Sequence, residues 1–412
     1  MESDWDTPAL MRGLYLHIPF CEHKCCYCDF YSVERPELLE SFVDALCHEI
    51  ELLPEQLPEA VAEPVATVYF GGGTPSLLSP QQLERIVERL HRIFRWGPEV
   101  EWTMECNPGT VTEERLRAYR QLGVTRLSFG VQSFHPEELR FLERIHTAQE
   151  ARLAVEWARR AGFENINIDL MFAVPGQTVE SWRATLQQVI ALTPQHISAY
   201  SLIWEPGTPL YARWKRGEVA PVPEELDVAQ YELAVHLLQD AGYLHYEVSN
   251  FVQPGYECRH NLLYWHAEEY VALGPSAHGY LRGRRYWNVR SLRQYQELIR
   301  QDRLPIASSE HLSTVERLEE LVFLGLRSDG LRFDRIRQEF GIDLATEAAP
   351  ILAQWEELGV VRLRTPHRLW LNWRGYLMCD ELASQLILCA ERALGRTDRR
   401  SSPYQELTLL AG

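Results

Sequence analysis

The sequence predicts an α/β fold: a partial (β/α)6 barrel followed by a C-terminal helical, winged-helix-like domain. Three observations carry that expectation. Over the first half of the chain, six short β-type runs alternate with amphipathic helical stretches, the pattern of parallel strands joined by crossover helices. The run Asn165-Ile-Asn-Ile-Asp-Leu170 puts Asn165, Asn167 and Asp169 on one face and three aliphatic residues on the other, which suits a barrel strand with a polar lumen and a helix-covered back. After about residue 300 the pattern changes to helices and a hairpin.

The strands are expected over Gly13–Ile18, Thr67–Phe70, Val100–Glu105, Arg126–Gly130, Ile166–Met171 and His196–Ile203. Ser79-Pro80 is a helix start, with a capping residue and proline at the first helical position. Thr110-x-x-Glu113 matches a capping box and predicts a second start. Helices over Ser313–Arg327, Phe333–Phe340 and Thr346–Leu358 precede a hairpin, Val360–Arg364 and Arg368–Leu371. The resulting organisation is an N-terminal extension (1–12), a barrel with an extension (13–300), the C-terminal domain (301–395) and a polar tail (396–412).

Composition narrows the function classes. A 46% hydrophobic, 24% charged chain of 412 residues is that of a globular protein with a sizeable core. The net charge of −17 argues against a nucleic-acid partner, even for a winged-helix shape. No apolar run approaches a membrane span, and the acidic start Met-Glu-Ser-Asp-Trp-Asp lacks a signal pattern. Nine cysteines without a signal point to a reducing cytoplasm, where thiols bind metals rather than cross-link.

Three of those cysteines form Cys21-x-x-x-Cys25-x-x-Cys28, directly after the first strand. Three thiols so close cannot all pair as disulfides, and they fall one short of a closed zinc site or a fully ligated iron–sulfur cluster. A cluster held by three cysteines leaves one iron open; zinc, or core cysteines without a ligand, is the alternative. Other notable residues fall at strand C-terminal ends, where α/β barrels place their chemistry. They are the glycine run Gly71-Gly72-Gly73-Thr74, Glu105, Gln132, Asp169, and Tyr200 with Ser201. Glycines there admit a ligand against the backbone, and an arginine such as Arg144 can pair with a carboxylate. The ordinary alternatives are a solvated strand end for Glu105, a turn contact for Gln132 and an exposed helix position for Arg144.

The cysteine spacing, with Tyr27 before the last cysteine, resembles the radical S-adenosylmethionine (SAM) superfamily. Leu14-Tyr-Leu-His-Ile-Pro-Phe-Cys21, Phe70-Gly-Gly-Gly-Thr-Pro75, Glu105-Cys-Asn-Pro108, Ser128-Phe-Gly-Val-Gln-Ser-Phe134 and Asn167-Ile-Asp-Leu170 resemble its anaerobic coproporphyrinogen III oxidase-like family, from about residue 13 to residue 380. The resemblance implies a [4Fe-4S] cluster on Cys21, Cys25 and Cys28, with SAM chelating the open iron. It implies SAM contacts from Tyr15, Tyr27, Gly72, Gly73, Thr74, Glu105, Gln132, Arg144 and Asp169.

Within that family, His260-Asn-Leu-Leu-Tyr-Trp265 is similar to the hallmark of the HemW-type heme chaperones. The similarity implies heme as cargo, with His260, Asn261, Tyr264 and Trp265 as its contacts. Imidazole is a good iron ligand, and the aromatic rings offer flat faces for a porphyrin. The alternative is a hydrogen-bonded turn with packed aromatics. Cys258 and His278 are further ligand candidates. The resemblance also implies a heme-acceptor protein such as a membrane-bound respiratory enzyme, an electron donor for the cluster, and a cytoplasmic protein peripheral to the membrane; it leaves a homodimer open. An oxygen-independent coproporphyrinogen III oxidase is the other activity of the family. Phe30, where those oxidases carry a further cysteine, and the twenty residues before Cys21 weigh against it.

Overall fold

The computed structural model describes residues 11–395, so the expected tail 396–412 and all but two residues of the extension 1–12 lie outside the described residues. The chain divides into two units: one of residues 1–245, 249–263 and 268–311, the other of residues 246–248, 264–267 and 312–412.

The first unit is built on six parallel strands in sequence order: β1 Arg12–Ile18, β2 Val65–Gly72, β3 Trp96–Cys106, β4 Arg126–Gln132, β5 Asn165–Phe172 and β6 His196–Ser201. Their outward residues, among them Leu14, Val68, Met104, Leu127 and Ile168, are fully buried. Amphipathic helices cover them. Pro80–Ile93 is typical: Leu83, Ile86, Val87 and Leu90 recur at helical spacing and are buried, and a Ser79/Gln82 capping box starts the helix. The second expected helix start falls two residues later and without a capping box. Thr112 caps the helix Glu113–Gln121, accepting from the Arg115 amide. The Thr110 hydroxyl is engaged elsewhere, with Ser76 at 2.6 Å and the Asn107 carbonyl at 2.9 Å.

The sheet curls. The loop after β1 meets the segment after β6, where the Leu210 amide donates to the Cys26 carbonyl at 2.9 Å. Cys26 packs there with Met171, Leu202 and Leu210. The arc is left open, because both edges carry further strands. Beyond β6 lie β8 Asn250–Val252 and then β7 Leu244–Glu247. Beyond β1 lie β9 Tyr270–Leu273, parallel to it, and antiparallel β10 His278–Leu281, β11 Arg284–Asn288 and β12 Ile306–His311. None of these six added strands was expected from the sequence.

The concave face is polar. Asn167 and Asp169 do share it, with Asn167 Nδ2 donating to Asp169 at 2.7 Å and to Ser128 at the same distance. Such pairing is what a desolvated polar face requires.

The second unit runs helix Thr314–Arg327, β13 Leu331–Arg332, helix Phe333–Phe340, helices Leu344–Glu347 and Ala349–Glu357, then the hairpin β14 Val361–Arg364 and β15 Arg368–Leu371. This is winged-helix order, and β13 completes a three-stranded antiparallel sheet. Two further helices, Trp373–Leu377 and Cys379–Ala393, extend it, and Leu382, Ala383 and Leu386 join its core.

One buried carboxylate fixes how the added strands join the barrel. Glu49, on the helix Leu39–Gln56, accepts from the Gly274 amide (2.8 Å), Asn288 Nδ2 (2.9 Å) and the Tyr295 hydroxyl (2.7 Å). Glu49→Ala strands three buried donors. Urea unfolding should show a loss of about 3 kcal/mol.

Candidate active site at the strand C-terminal rim

The cysteine loop is shaped by backbone bonds. Phe20 bridges to Val33, and the Cys21 amide donates to the Val33 carbonyl at 3.1 Å, which closes the loop at its neck. The glycine run after β2 grips it from the side. The Gly73 amide donates to Ile18 O (2.9 Å) and the Thr74 amide to Phe20 O (2.7 Å). A side chain at residue 73 has no room, because its Cβ would lie 2.5 Å from the Phe20 carbonyl oxygen. At Gly72 the backbone has φ +110°, and a Cβ there would meet the His17 ring. These glycines are therefore set by geometry, as their sequence context predicted.

Thr74 Oγ1 lies 3.6 Å from Cys21 Sγ, and Arg144 Nη1 lies 3.4 Å from Cys25 Sγ. Burial pushes the Cys28 thiol up to about 11, with Cys25 and Cys21 adding to the rise. Among the described residues, no three side chains converge as they would around a single ion. The loop carries three thiols within mutual electrostatic reach.

Beside the loop is a cavity of about 150 Å³. Tyr27, Cys28, Gly72, Gly73, Thr74, Glu105, Gln132, Arg144 and Asp169 all line it, drawn from the loop and from the ends of β2 to β5. Tyr15 does not. Its ring stacks on Tyr69 and its hydroxyl meets His17 Nδ1 at 3.0 Å, one row behind the wall. Phe30, Cys106, Asn107, Ser128, Gly130 and Tyr200 complete the lining. Of these, Tyr200 was legible as a rim residue, whereas Asn107 carried no signal beyond its place in the Glu105-Cys-Asn-Pro108 run.

The cavity is strongly polarised. Arg144 is half-buried, and its guanidinium donates to Asn107 Oδ1 and to the Gly130 carbonyl at 2.6 Å, beside the Cys25 sulfur. Its Nε has no partner. A half-buried cation in such company favours an arriving anion. Glu105 accepts from the Tyr69 hydroxyl (2.8 Å) and the Gly72 amide (3.1 Å). Burial raises its carboxyl to about 7, opposed by the Tyr69 bond and reinforced by Asp169. Asp169, also raised by burial, accepts from Ser128 and Asn167. Gln132 sits at φ +67°, a left-handed strain that a non-glycine residue adopts at functional sites, and its Oε1 accepts from Tyr200 at 2.7 Å. A cation, two acids and flanking aromatic hydroxyls around one cavity match an amino acid's carboxylate and ammonium groups together with a hydroxyl-bearing ribose.

The His260 motif lies elsewhere. The helix Arg259–Trp265 closes the opposite, N-terminal end of the strands. His260 is fully buried, its Nδ1 2.7 Å from Thr67 Oγ1 and its ring stacked on Tyr69 at 5.0 Å. Its amide donates to Glu101 at 3.2 Å, and burial lowers the imidazole to about 3. Here the imidazole is part of the barrel floor and does not line the rim cavity. Asn261, Tyr264 and Trp265 are half-buried, and the last two group with the second unit. Cys258 is likewise buried, its thiol 3.8 Å from Glu101.

Comparison with known proteins agrees with this geometry. The model of the Radical SAM superfamily matches residues 15–189, and that of the HemN C-terminal domain matches residues 312–378. The heme chaperone HemW of Bacillus subtilis is 34% identical over 376 residues, 90% of this chain and 98% of that protein. The chain belongs to the HemW heme-chaperone family. The Mycobacterium tuberculosis HemW is 36% identical over 92% of this chain and 96% of its own length. The Escherichia coli HemW is 41% identical over 65% of this chain and 69% of its own length. Among solved structures, the Escherichia coli radical SAM enzyme coproporphyrinogen III oxidase (HemN) superposes with a TM-score of 0.77 at 23% identity, covering 92% of this chain and 90% of that one. That likeness shows the radical SAM fold in this HemW-family chain.

Two outcomes are expected. Gly73→Ala, whose methyl collides with backbone, should destabilise the protein by about 2 kcal/mol and lower its capacity to hold iron, read by denaturant unfolding and iron content. A Glu105 carboxyl at about 7, above its unfolded value near 4.5, stabilises the fold fully below pH 4.5 and loses that contribution as pH rises through 7. Stability should therefore fall between pH 5 and pH 8, and Glu105→Gln should flatten the fall. Part of the slope will remain, because burial also raises Glu49 to about 7.

Proposed function

We propose that this protein is a heme chaperone that holds a [4Fe-4S] cluster on Cys21, Cys25 and Cys28, binds SAM in the adjoining cavity, and delivers heme to an acceptor such as a respiratory-chain hemoprotein. The observation that carries the cofactor part is the half-buried Arg144 guanidinium, bonded to Asn107 and the Gly130 carbonyl beside Cys25, in the same cavity as the raised Glu105 carboxyl. Arg144 suits the methionine carboxylate, Glu105 its ammonium group and Asp169 the ribose hydroxyls. The glycine run brings backbone within reach of the methionine end. A cluster held there supplies one-electron chemistry to the bound SAM. The chain's own part is to position SAM and to exclude water from it with Tyr27 and Tyr200.

Heme as cargo is supported by the relatives named as heme chaperones, of which the Bacillus subtilis protein is matched over nearly its whole length. Phe30 weighs the same way. It is 66% exposed at the cavity, two residues after Cys28, where the related oxidases carry a thiol. The acceptor is read as membrane-bound, with the chaperone meeting it from the cytoplasm. Among the described residues no helix is long and apolar enough to cross a membrane.

Anaerobic reconstitution with iron and sulfide should give a brown protein whose colour is lost in Cys25→Ser. Hemin should then bind saturably and stoichiometrically, while coproporphyrinogen III with SAM and a reductant should give no decarboxylated product. Absence of saturable hemin binding, or turnover of coproporphyrinogen, would replace the chaperone reading with the oxidase one. SAM binding should also release protons near pH 7, because an ammonium group beside Glu105 lowers its raised pKa. Calorimetry in buffers of different ionisation enthalpy measures that release, and Glu105→Gln should abolish it.

A further inference from the structure

We propose that His278 is an axial ligand of heme iron, in a porphyrin site on the concave face of β10–β12 beside the SAM cavity. The proposal rests on the heme-carrying reading above and says where that cargo sits.

Strand register puts His278 on the concave face. Gly13 of β1 pairs with Tyr270 of β9, and Tyr270 pairs with Tyr280 of β10. Paired residues share a face and alternate residues repeat it, so Tyr280 and His278 lie on the same side as Tyr15 and His17. On that side Trp287 pairs with His278, and Arg285 pairs with Tyr280. The face is continuous with the SAM cavity. The Gly274 turn packs against the His17 carbonyl, and the His17 ring lies against Gly72, which lines the cavity.

The chemistry there is what an iron porphyrin needs. His278 is exposed and its ring stacks with Trp287 at 6.0 Å. Partial burial, then the Arg285 charge, lowers its pKa, so the neutral imidazole that ligates iron is favoured. The half-buried Trp287 offers a flat apolar face to a porphyrin ring. Arg285, and Arg290 placed over the Tyr31 ring at 5.9 Å, supply guanidinium groups for propionates. The other inner-face histidines are committed: His260 to Thr67, His196 to Asn167, and His17 to Tyr15 and Tyr31.

The test is a hemin titration of the full-length, cluster-reconstituted protein and its variants, followed by the Soret band. His278→Ala should bind hemin at least about tenfold more weakly, with a shifted Soret band, and added imidazole should restore the wild-type spectrum. Arg290→Gln should weaken hemin but not its dimethyl ester, which lacks the charged propionates. A His278→Ala protein with wild-type affinity and Soret position overturns the assignment while leaving the chaperone reading intact. So does a Soret change found in His260→Ala alone. Failure of the wild-type protein to bind hemin removes the cargo itself, and with it both readings.

Discussion

Buried carboxylates that collect backbone amides organise the barrel unit. A carboxylate drawn out of water must be met by donors, and the chain meets this need with N–H groups from segments distant in sequence. Glu105 on β3 takes the Gly72 amide and so fixes the end of β2. Glu101, four residues earlier on the same face, takes the amides of Arg259 and His260 and holds the floor helix. Glu49 takes the Gly274 amide and ties the added antiparallel strands to the barrel. In each case the acid serves as a joint, and moving the joined segment would leave a charge or a donor unsatisfied.

The polarity of the site follows from the same requirement. A concave face lined with acids and amides cannot pack as an oily core, so it keeps a cavity at the rim and a hydrogen-bonded plug at the floor. The rim and the floor communicate through one ring: Tyr69 stacks on His260 below and donates to Glu105 above. His260 thus supports the ring that bonds Glu105 at the cavity.

Much of this was legible in the sequence. The six parallel strands carry local alternation or unbroken apolar runs, and the cysteine loop, glycine run, Glu105 and Asp169 fall at their ends, so strand direction alone gathers them. Other features were not local. Thr110 and Thr112 are equally good caps on paper, and the choice is made by Ser76, a tertiary neighbour of Thr110. Strands such as Ile306–His311, mostly exposed and rich in polar residues, show no periodic signal. The helices Trp373–Leu377 and Cys379–Ala393 were missed although Asn372 caps the first of them, because a single asparagine after a hairpin reads as a turn. Nor does a motif tell which end of a barrel it closes. The His260 run lies at the end opposite the cysteines, a placement that only the tertiary structure reveals.

The cysteine loop also bears on how such a protein ages. Its neck, its flank and its glycine clamp are backbone hydrogen bonds, none of which involves a thiol. Zinc-finger modules melt when their metal leaves, because metal affinity is their folding energy. Here main-chain bonds hold the loop's outline, so oxidation at a thiol changes the chemistry of the loop without cutting any bond that shapes it.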